Sequence, residues 1–398
     1  MEKRLLRVLW LPADDGGCGW HRIRIFNEAF NRLNLAESLI LDPKEEEKEA
    51  RSAIEYADVV VGRLNTIEYI KLIKKNWPHK VVVFDHDDNT LQTKPSNPAY
   101  KDFGTEDVWV PVENVKETTA YKEATVGVKL KMEERGEIPL WVTGITQGFN
   151  RYLNLDQHMY LLWGLQACDL ATSPVPELTQ MWGQYADKVA VVPNCLDFSY
   201  YPDVEVKRKK GKGEIRIGWS GGSSHSMDLR TTLPSLKRLS KKHKIKLVIS
   251  GSYFPEIFKE LGDLVEYHPW TKWEAHPYRM KLLDLDFAII PLADDEFFNK
   301  YKSELKMMEF AALKVPMIIK DQLPYSPYIK KGENCLAYKT EEELDKCLEL
   351  MVRGKNKDKM IKNAYEWVTE HRDVDKIAKD LVKVYKGLIP EKTQNLVV

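Results

Sequence analysis

Short apolar runs alternate with longer amphipathic stretches along most of the chain, and the runs have the length and β-branching of buried parallel strands. In the first half these are Leu5-Leu-Arg-Val-Leu-Trp-Leu, Ser38-Leu-Ile-Leu, Asp58-Val-Val-Val-Gly and His79-Lys-Val-Val-Val-Phe-Asp, with helical stretches such as His21 to Leu33 between them. Residues 94–160 lose the pattern. It returns at Cys168-Asp-Leu-Ala-Thr-Ser and Lys188-Val-Ala-Val-Val. Ile215 to Gly218, Lys244 to Gly251, Leu264 to His268, Phe287 to Leu292 and Met317-Ile-Ile repeat it in the second half, and the final 60 residues read as amphipathic helices. Such alternation predicts an α/β protein with parallel, doubly wound sheets. The basic, glycine-containing run Lys207-Arg-Lys-Lys-Gly-Lys-Gly reads as a linker. The expected organisation is therefore a Rossmann-like domain over 1–205, a linker over 206–213, a second Rossmann-like domain over 214–372, and a helix over 373–390 that returns to the first domain.

At 398 residues the chain is long enough for two cores of ordinary size. No stretch approaches the roughly 18 consecutive apolar residues of a membrane span, and Met1-Glu-Lys-Arg leads straight into a strand, so neither membrane insertion nor a signal peptide is expected. The five cysteines are scattered and lack metal-ligand spacing. They read as reduced residues of a cytoplasmic protein, without zinc or disulfides. The formal charge is zero overall, but it divides into −7 for residues 1–200 and +7 for the remainder. A basic second half suits an anionic ligand, and the neutral total argues against a dedicated nucleic-acid binder.

Ligands of doubly wound sheets bind at the carboxyl ends of the strands, which brings four segments forward. After the first strand comes a loop with Gly16, Gly17 and Gly19, whose spacing does not give the dinucleotide fingerprint. After His79 to Asp85 comes the acid cluster Asp85-His86-Asp87-Asp88-Asn89. It reads as a functional edge of the cleft, as a loop capping the next helix, or as a metal-binding acid motif. Ile215-Arg-Ile-Gly-Trp-Ser220-Gly221-Gly222-Ser-Ser-His225-Ser-Met-Asp228 opens the second domain. Its small residues let backbone amides face a phosphate, with His225 and Asp228 able to face one site. A Ser-His-Asp triad is a weaker reading there, because nucleophile elbows place Ser between glycines. Last comes the segment Asn299 to Pro316, where Ser303 is the expected N-cap of a helix carrying Leu305, Met308, Glu309 and Ala312 at helical spacing. The helix start and the charges of Lys302 and Lys306 would hold a diphosphate.

Strand, loop, Lys-Ser, helix with an inward Glu309, then Ala-Ala-Leu-Lys-Val-Pro and a strand resembles the donor segment of GT-B glycosyltransferases. The likeness is to family 4, and Gly-Cys-Gly-Trp-His-Arg and Trp-Ser-Gly-Gly-Ser-Ser-His resemble the phage-encoded members. The resemblance implies two Rossmann-like domains facing a central cleft and transfer of a sugar from a nucleoside diphosphate sugar, with a UDP-sugar favoured. It implies no cofactor, no metal, and retention of anomeric configuration. The acceptor, a glycan, a protein or a modified DNA base, is left open, and a phage-encoded enzyme would work in the host cytoplasm. By the same resemblance Glu309 binds the ribose, while Lys302, Ser303 and Lys306 hold the diphosphate with Ser220, Gly221, Gly222, His225 and Asp228. Trp270 lies where the nucleobase sits. Gly17 and Gly19 face the cleft, and Arg22 reaches a phosphate or the acceptor. His86, Asp87 and Asp88 line the acceptor and sugar side, with His86, Asp88 and Lys302 the catalytic candidates. The family's partner Glu, eight residues before Glu309, is replaced by Tyr301. That departure leaves a sugar-nucleotide epimerase or a nucleotide-sugar-binding protein without turnover as the competing functions.

Overall fold

The computed structural model describes residues 4–11, 15–41, 47–93, 95, 99–106, 108–139, 149–202, 213–294, 298–354 and 356–394. It divides into two compact units, one of residues 1–87, 164–295 and 299–398, the other of 88–163 with 296–298. Except for Gly213, the basic run read as a linker lies outside the described residues.

The larger unit contains β1 (Leu6–Trp10), β2 (Ala36–Ile40), β3 (Val59–Gly62) and β4 (Val81–Asp85). The smaller contributes β5 (Trp109–Pro111) and β6 (Glu137–Pro139). The larger resumes with β7 (Leu170–Ser173), β8 (Val189–Val191), β9 (Ile215–Gly221), β10 (Ile245–Gly251) and β11 (Val265–Pro269), and ends with β12 (Phe287–Ile290), β13 (Met317–Lys320) and β14 (Leu336–Tyr338). One six-stranded sheet runs β2-β1-β3-β4-β7-β8 and the other β11-β10-β9-β12-β13-β14. Every pairing within them is parallel. This is the doubly wound α/β architecture that the alternating pattern predicts. The valines of β3 and β4 are buried, as central strands covered by helices on both faces require.

Strand order reverses between β1 and β3 in the first sheet and between β9 and β12 in the second. Those switch points are where such sheets open a crevice for ligands. At the second, Gly251 has φ +125, and a Cβ there would lie 2.3 Å from the Gly221 carbonyl oxygen. Only glycine lets the ends of β9 and β10 approach this closely. The run expected to extend to Leu292 stops being strand at Ile290, because Pro291 cannot donate to a ladder. The short strand β14 was not expected from the sequence pattern.

The first sheet buries Trp10, Phe26 and Phe30. Tyr385 of the last helix, Val374–Gln394, joins them, with ring centroids 6.4 Å from Trp10 and 6.3 Å from Phe30. The chain enters this helix through a tie between Leu196 and residues 372–374: Leu196 N–H donates to the Arg372 carbonyl at 2.8 Å, and Val374 N–H to the Leu196 carbonyl at 3.0 Å. The smaller unit has its own core of Val115, Ala120 and Met132. Within it, Asn154 Nδ2 donates to the carbonyls of Lys101 and Gly104. No helix among the described residues is long and apolar enough to cross a membrane.

Candidate functional site

The site is best built from the helix Leu305–Ala312. Its N-cap is Glu304 and not Ser303, and no side chain caps it. Glu304 is drawn inward, buried to 1% exposure, because Arg372 Nε donates to its Oε1 at 2.6 Å. Ser303 is instead bound to a residue far away in sequence, its Oγ accepting from Asn194 Nδ2 at 2.7 Å. With the helix starting at Leu305, Glu309 lies one turn in.

Around the helix start, β9 delivers Ser220 and Gly221, then Gly222, a short 3-10 turn Ser223–His225, and a helix Ser226–Arg230. A Cβ on Gly222 would meet nothing within 4 Å, whereas one on Gly221 would lie 3.2 Å from Lys306 Cε. The loop therefore opens at Gly222 and carries Lys306 against its floor. His225 Nδ1 lies 2.6 Å from Asp228 Oδ2, and Asp228 Oδ1 accepts from Ala293 N–H at 2.8 Å. Burial, with Lys302 and Lys306 nearby, lowers the His225 pKa to about 3, so the ring is neutral. An ionised Asp228 can only accept, and this assigns the proton to Nδ1. Lys302 Nζ at 3.4 Å from that nitrogen is then a near neighbour and not its donor. Burial also lowers Lys306 to about 7, with Lys302 adding to the effect. Lys302, Lys306, Ser220, Gly221, Gly222, His225 and Asp228 are thus brought together at one helix start, a cationic pocket rich in donors.

Glu309, from the same helix, points at a different group of residues. Its Oε1 lies 3.9 Å from His21 Nε2 and 3.9 Å from His276 Nε2. Burial raises its pKa to about 7. Trp273 stands against His21 and His276 with centroids 5.5 and 5.4 Å away. A Cβ on Gly17 would touch the Trp273 ring at 3.3 Å, so glycine there lets the loop after β1 pack closely on that ring. Trp270, 43% exposed, leans on Trp273 and His276 and keeps a face open to solvent. Gly19 is buried within the short helix Gly17–Gly19.

Arg22 is not part of either group. Its Nε and Nη2 donate to Asp85 at 3.1 and 2.5 Å, and its Nη1 donates to the Val192 carbonyl and to Asn194 Oδ1. Arg63 completes the array by pairing with both Asp85 and Asp87. Burial opposes charge on Arg22, but Asp85 outweighs it and raises the pKa. The guanidinium expected to reach a phosphate is committed to the interior. Two acids of the Asp85-His86-Asp87 cluster are likewise neutralised by arginines. His86 is buried between Phe84 and Trp182, and burial lowers its pKa to about 4, with Arg63 adding to this. Asp88 belongs to the smaller unit, where its carbonyl accepts from Thr90 N–H.

Sequence reasoning missed His21, His276, Trp273 and Arg63. The spacing of Trp270, Trp273 and His276, three residues apart each time, was the available signal for two of them, since it places aromatic rings on one side of a helical turn.

No protein-family model matches the sequence, and no curated protein matches it. Solved structures do match in shape. Sucrose-phosphate synthase from Thermosynechococcus elongatus aligns with 97% of this chain and 100% of its own at TM-score 0.60 and 11% identity. A glycosyltransferase from Rickettsia africae ESF-5 aligns with 97% and 99% at TM-score 0.61 and 11% identity. Alr3699/HepE of Anabaena, solved in complex with UDP-glucose, aligns with 96% and 100% at TM-score 0.57 and 11% identity. The fold is GT-B. At these identities the likeness is one of fold, and it spans nearly the whole chain. In this GT-B chain the cationic group lies where β9 and β12 of the second sheet end, and the group around Glu309 also takes His21 from beyond β1 of the first.

Proposed function

We propose that the protein is a glycosyltransferase that takes a sugar from a nucleoside diphosphate sugar, a UDP-sugar in the first instance, and passes it to an acceptor with retention and without a metal. The observation that carries this reading is the pairing, along one helix, of a cationic pocket at the start with a buried carboxylate one turn later. Lys302, Lys306 and the Gly221-Gly222 loop suit a diphosphate, and Glu309 suits the ribose hydroxyls. Three residues separate Lys306 from Glu309, about 4.5 Å along the axis at 1.5 Å per residue. That interval fits the step from phosphate to ribose. Ser303 and its helix start add backbone donors, and the open face of Trp270 suits a nucleobase. HepE, solved with UDP-glucose, supports the choice of donor by analogy of fold. His86 is the acceptor-side candidate within the larger unit.

In this reading the protein positions the donor and stabilises the departing diphosphate. Lys302→Ala is expected to slow transfer on the order of a hundredfold while changing donor affinity far less, as for loss of one transition-state donor. Single-turnover and equilibrium-binding measurements separate the two effects, and equal losses in both would contradict the role. Sugar-epimer formation from the donor without acceptor would instead favour the epimerase reading. Donor binding with neither transfer nor hydrolysis would favour a binding protein.

Proton linkage gives a second expectation. At pH 8 Lys306, lowered to about 7, is mostly neutral, and a diphosphate beside it favours the ammonium form, so binding takes up protons. At pH 6 Lys306 is already charged, while Glu309, raised to about 7, is mostly protonated. Hydroxyl donors favour its ionised form, so binding releases protons. Calorimetry of UDP binding in buffers of different ionisation enthalpy should show uptake at pH 8 and release at pH 6. The same sign at both pH values would contradict the assignment.

A further inference from the structure

A small cavity lies within the larger unit, lined by Trp20, His21, Tyr201, Trp273, His276 and Glu309, among others. His21 lies in the helical stretch Trp20–Arg24 that follows β1, and its ring is held by a contact of Nδ1 with the Cys195 carbonyl at 3.3 Å. A carbonyl only accepts, so Nδ1 carries the proton. Burial lowers the His21 pKa to about 4, so the ring is neutral and Nε2 presents a lone pair. That nitrogen is buried and has no hydrogen-bond partner among the described residues. It faces Glu309 Oε1 at 3.9 Å, too far for a hydrogen bond and the wrong pairing for one when the carboxylate is ionised, because both atoms accept. His276 Nε2 closes the third side at 3.9 Å from the same oxygen.

Two acceptors side by side in a buried cleft are an unsatisfied pair that a ligand with two adjacent O–H donors completes. Each hydroxyl of a vicinal diol carries one proton, so one can donate to His21 Nε2 while its neighbour donates to Glu309 Oε1, 3.9 Å away, each at an ordinary distance of about 2.8 Å. We propose that His21 is a specificity-determining residue of the nucleotide site: its Nε2 accepts a hydrogen bond from the ribose diol that Glu309 also holds, so the helical stretch after β1 reads the sugar of the nucleoside. The inference rests on the donor-site reading above and extends it by a residue far away in sequence. It makes the helical stretch after β1 part of recognition, and it disfavours deoxyribonucleotides. Removing either partner leaves the other buried and unpaired, the situation in which hydroxyl selectivity is greatest.

The test compares binding of UDP, 2′-deoxy-UDP and 3′-deoxy-UDP to the full-length protein by calorimetry. The unsubstituted protein should bind at least one deoxy analogue about tenfold more weakly than UDP, as for one lost hydrogen bond to a charged or buried group. In His21→Phe that penalty should fall to about twofold or less. His21→Gln, which replaces the acceptor near its place, should restore part of the preference, and this rescue separates recognition from a merely structural role. If His21→Phe does not fold, the selectivity of His21→Asn against His276→Asn decides the same question. Deoxy penalties as large in the His21 variants as in the unsubstituted protein would overturn the inference and leave the donor site standing. No UDP binding to the unsubstituted protein would overturn the donor-site reading itself.

Discussion

Glu309→Ala is expected to weaken binding of a nucleoside diphosphate by about 10- to 100-fold, the cost of about 1.5–3 kcal/mol for losing hydrogen bonds to a charged group. The carboxylate sits deep between His21 and His276, and no other acid lies within 4.0 Å of either imidazole among the described ion pairs. Glu309→Gln separates binding from stability. Burial raises the Glu309 pKa from 4.5 to about 7, so the folded state holds its proton more tightly than the unfolded chain. The resulting stability is full below pH 4.5 and is lost as pH rises toward 7, on the order of 3 kcal/mol in all. At pH 8 the empty Glu309→Gln protein should therefore melt at a higher temperature than the parent, and at pH 4.5 the difference should shrink. Weaker ligand binding with a raised melting temperature at pH 8 is the signature of a residue kept for function at the expense of stability. A lower melting temperature at pH 8 would mean that the carboxylate has a stabilising partner in the empty protein.

Asp85→Asn should produce the largest loss of stability of any single charge change in the first domain. Asp85 is 4% exposed and accepts from Arg22, Arg63 and Thr172. Neutralising it leaves Arg22 without a carboxylate partner. Breaking a buried pair in this way costs about 3–5 kcal/mol, a large share of the 5–15 kcal/mol typical of a domain. The comparison is Asp375→Asn, which removes a half-exposed partner of Arg32 and should cost less than about 1 kcal/mol. Urea unfolding of the two variants measures both. If Asp85→Asn unfolds like Asp375→Asn but loses turnover, the acid belongs to the chemistry and not to the framework.

The sheets were legible because β3, β4, β9, β10 and β12 are local runs of buried residues whose pattern needs no knowledge of partners. The helix start was legible to within two residues for the same reason: Lys-Ser-Glu-Leu and the later Pro316 are local signals. Serine is a common helix cap, which points to Ser303, but Asn194, 109 residues away, claims its hydroxyl. Arg22 shows the same limit more sharply. A lone arginine after a glycine-rich loop looks available for a phosphate, and only the fold reveals that Asp85, 63 positions later, takes it. The meeting of His21, His276 and Glu309 joins residues far apart in sequence and leaves no local trace. The segment 94–160 was legible only in part: the helical pattern from Tyr152 matches the helix Arg151–Ala167, but its strands are three residues each, too short for alternation to repeat.

The most direct test of the central claim is calorimetric titration of the full-length protein with UDP, GDP, ADP and TDP, with uridine as the reference that lacks the diphosphate. The expected result is selective binding of one diphosphate, UDP first among them, with uridine at least about tenfold weaker and thermal stabilisation of about 2.7 kcal/mol at 100 times the dissociation constant. Failure of all four to bind, or equal binding of UDP and uridine, would contradict a diphosphate site at Lys302 and Lys306.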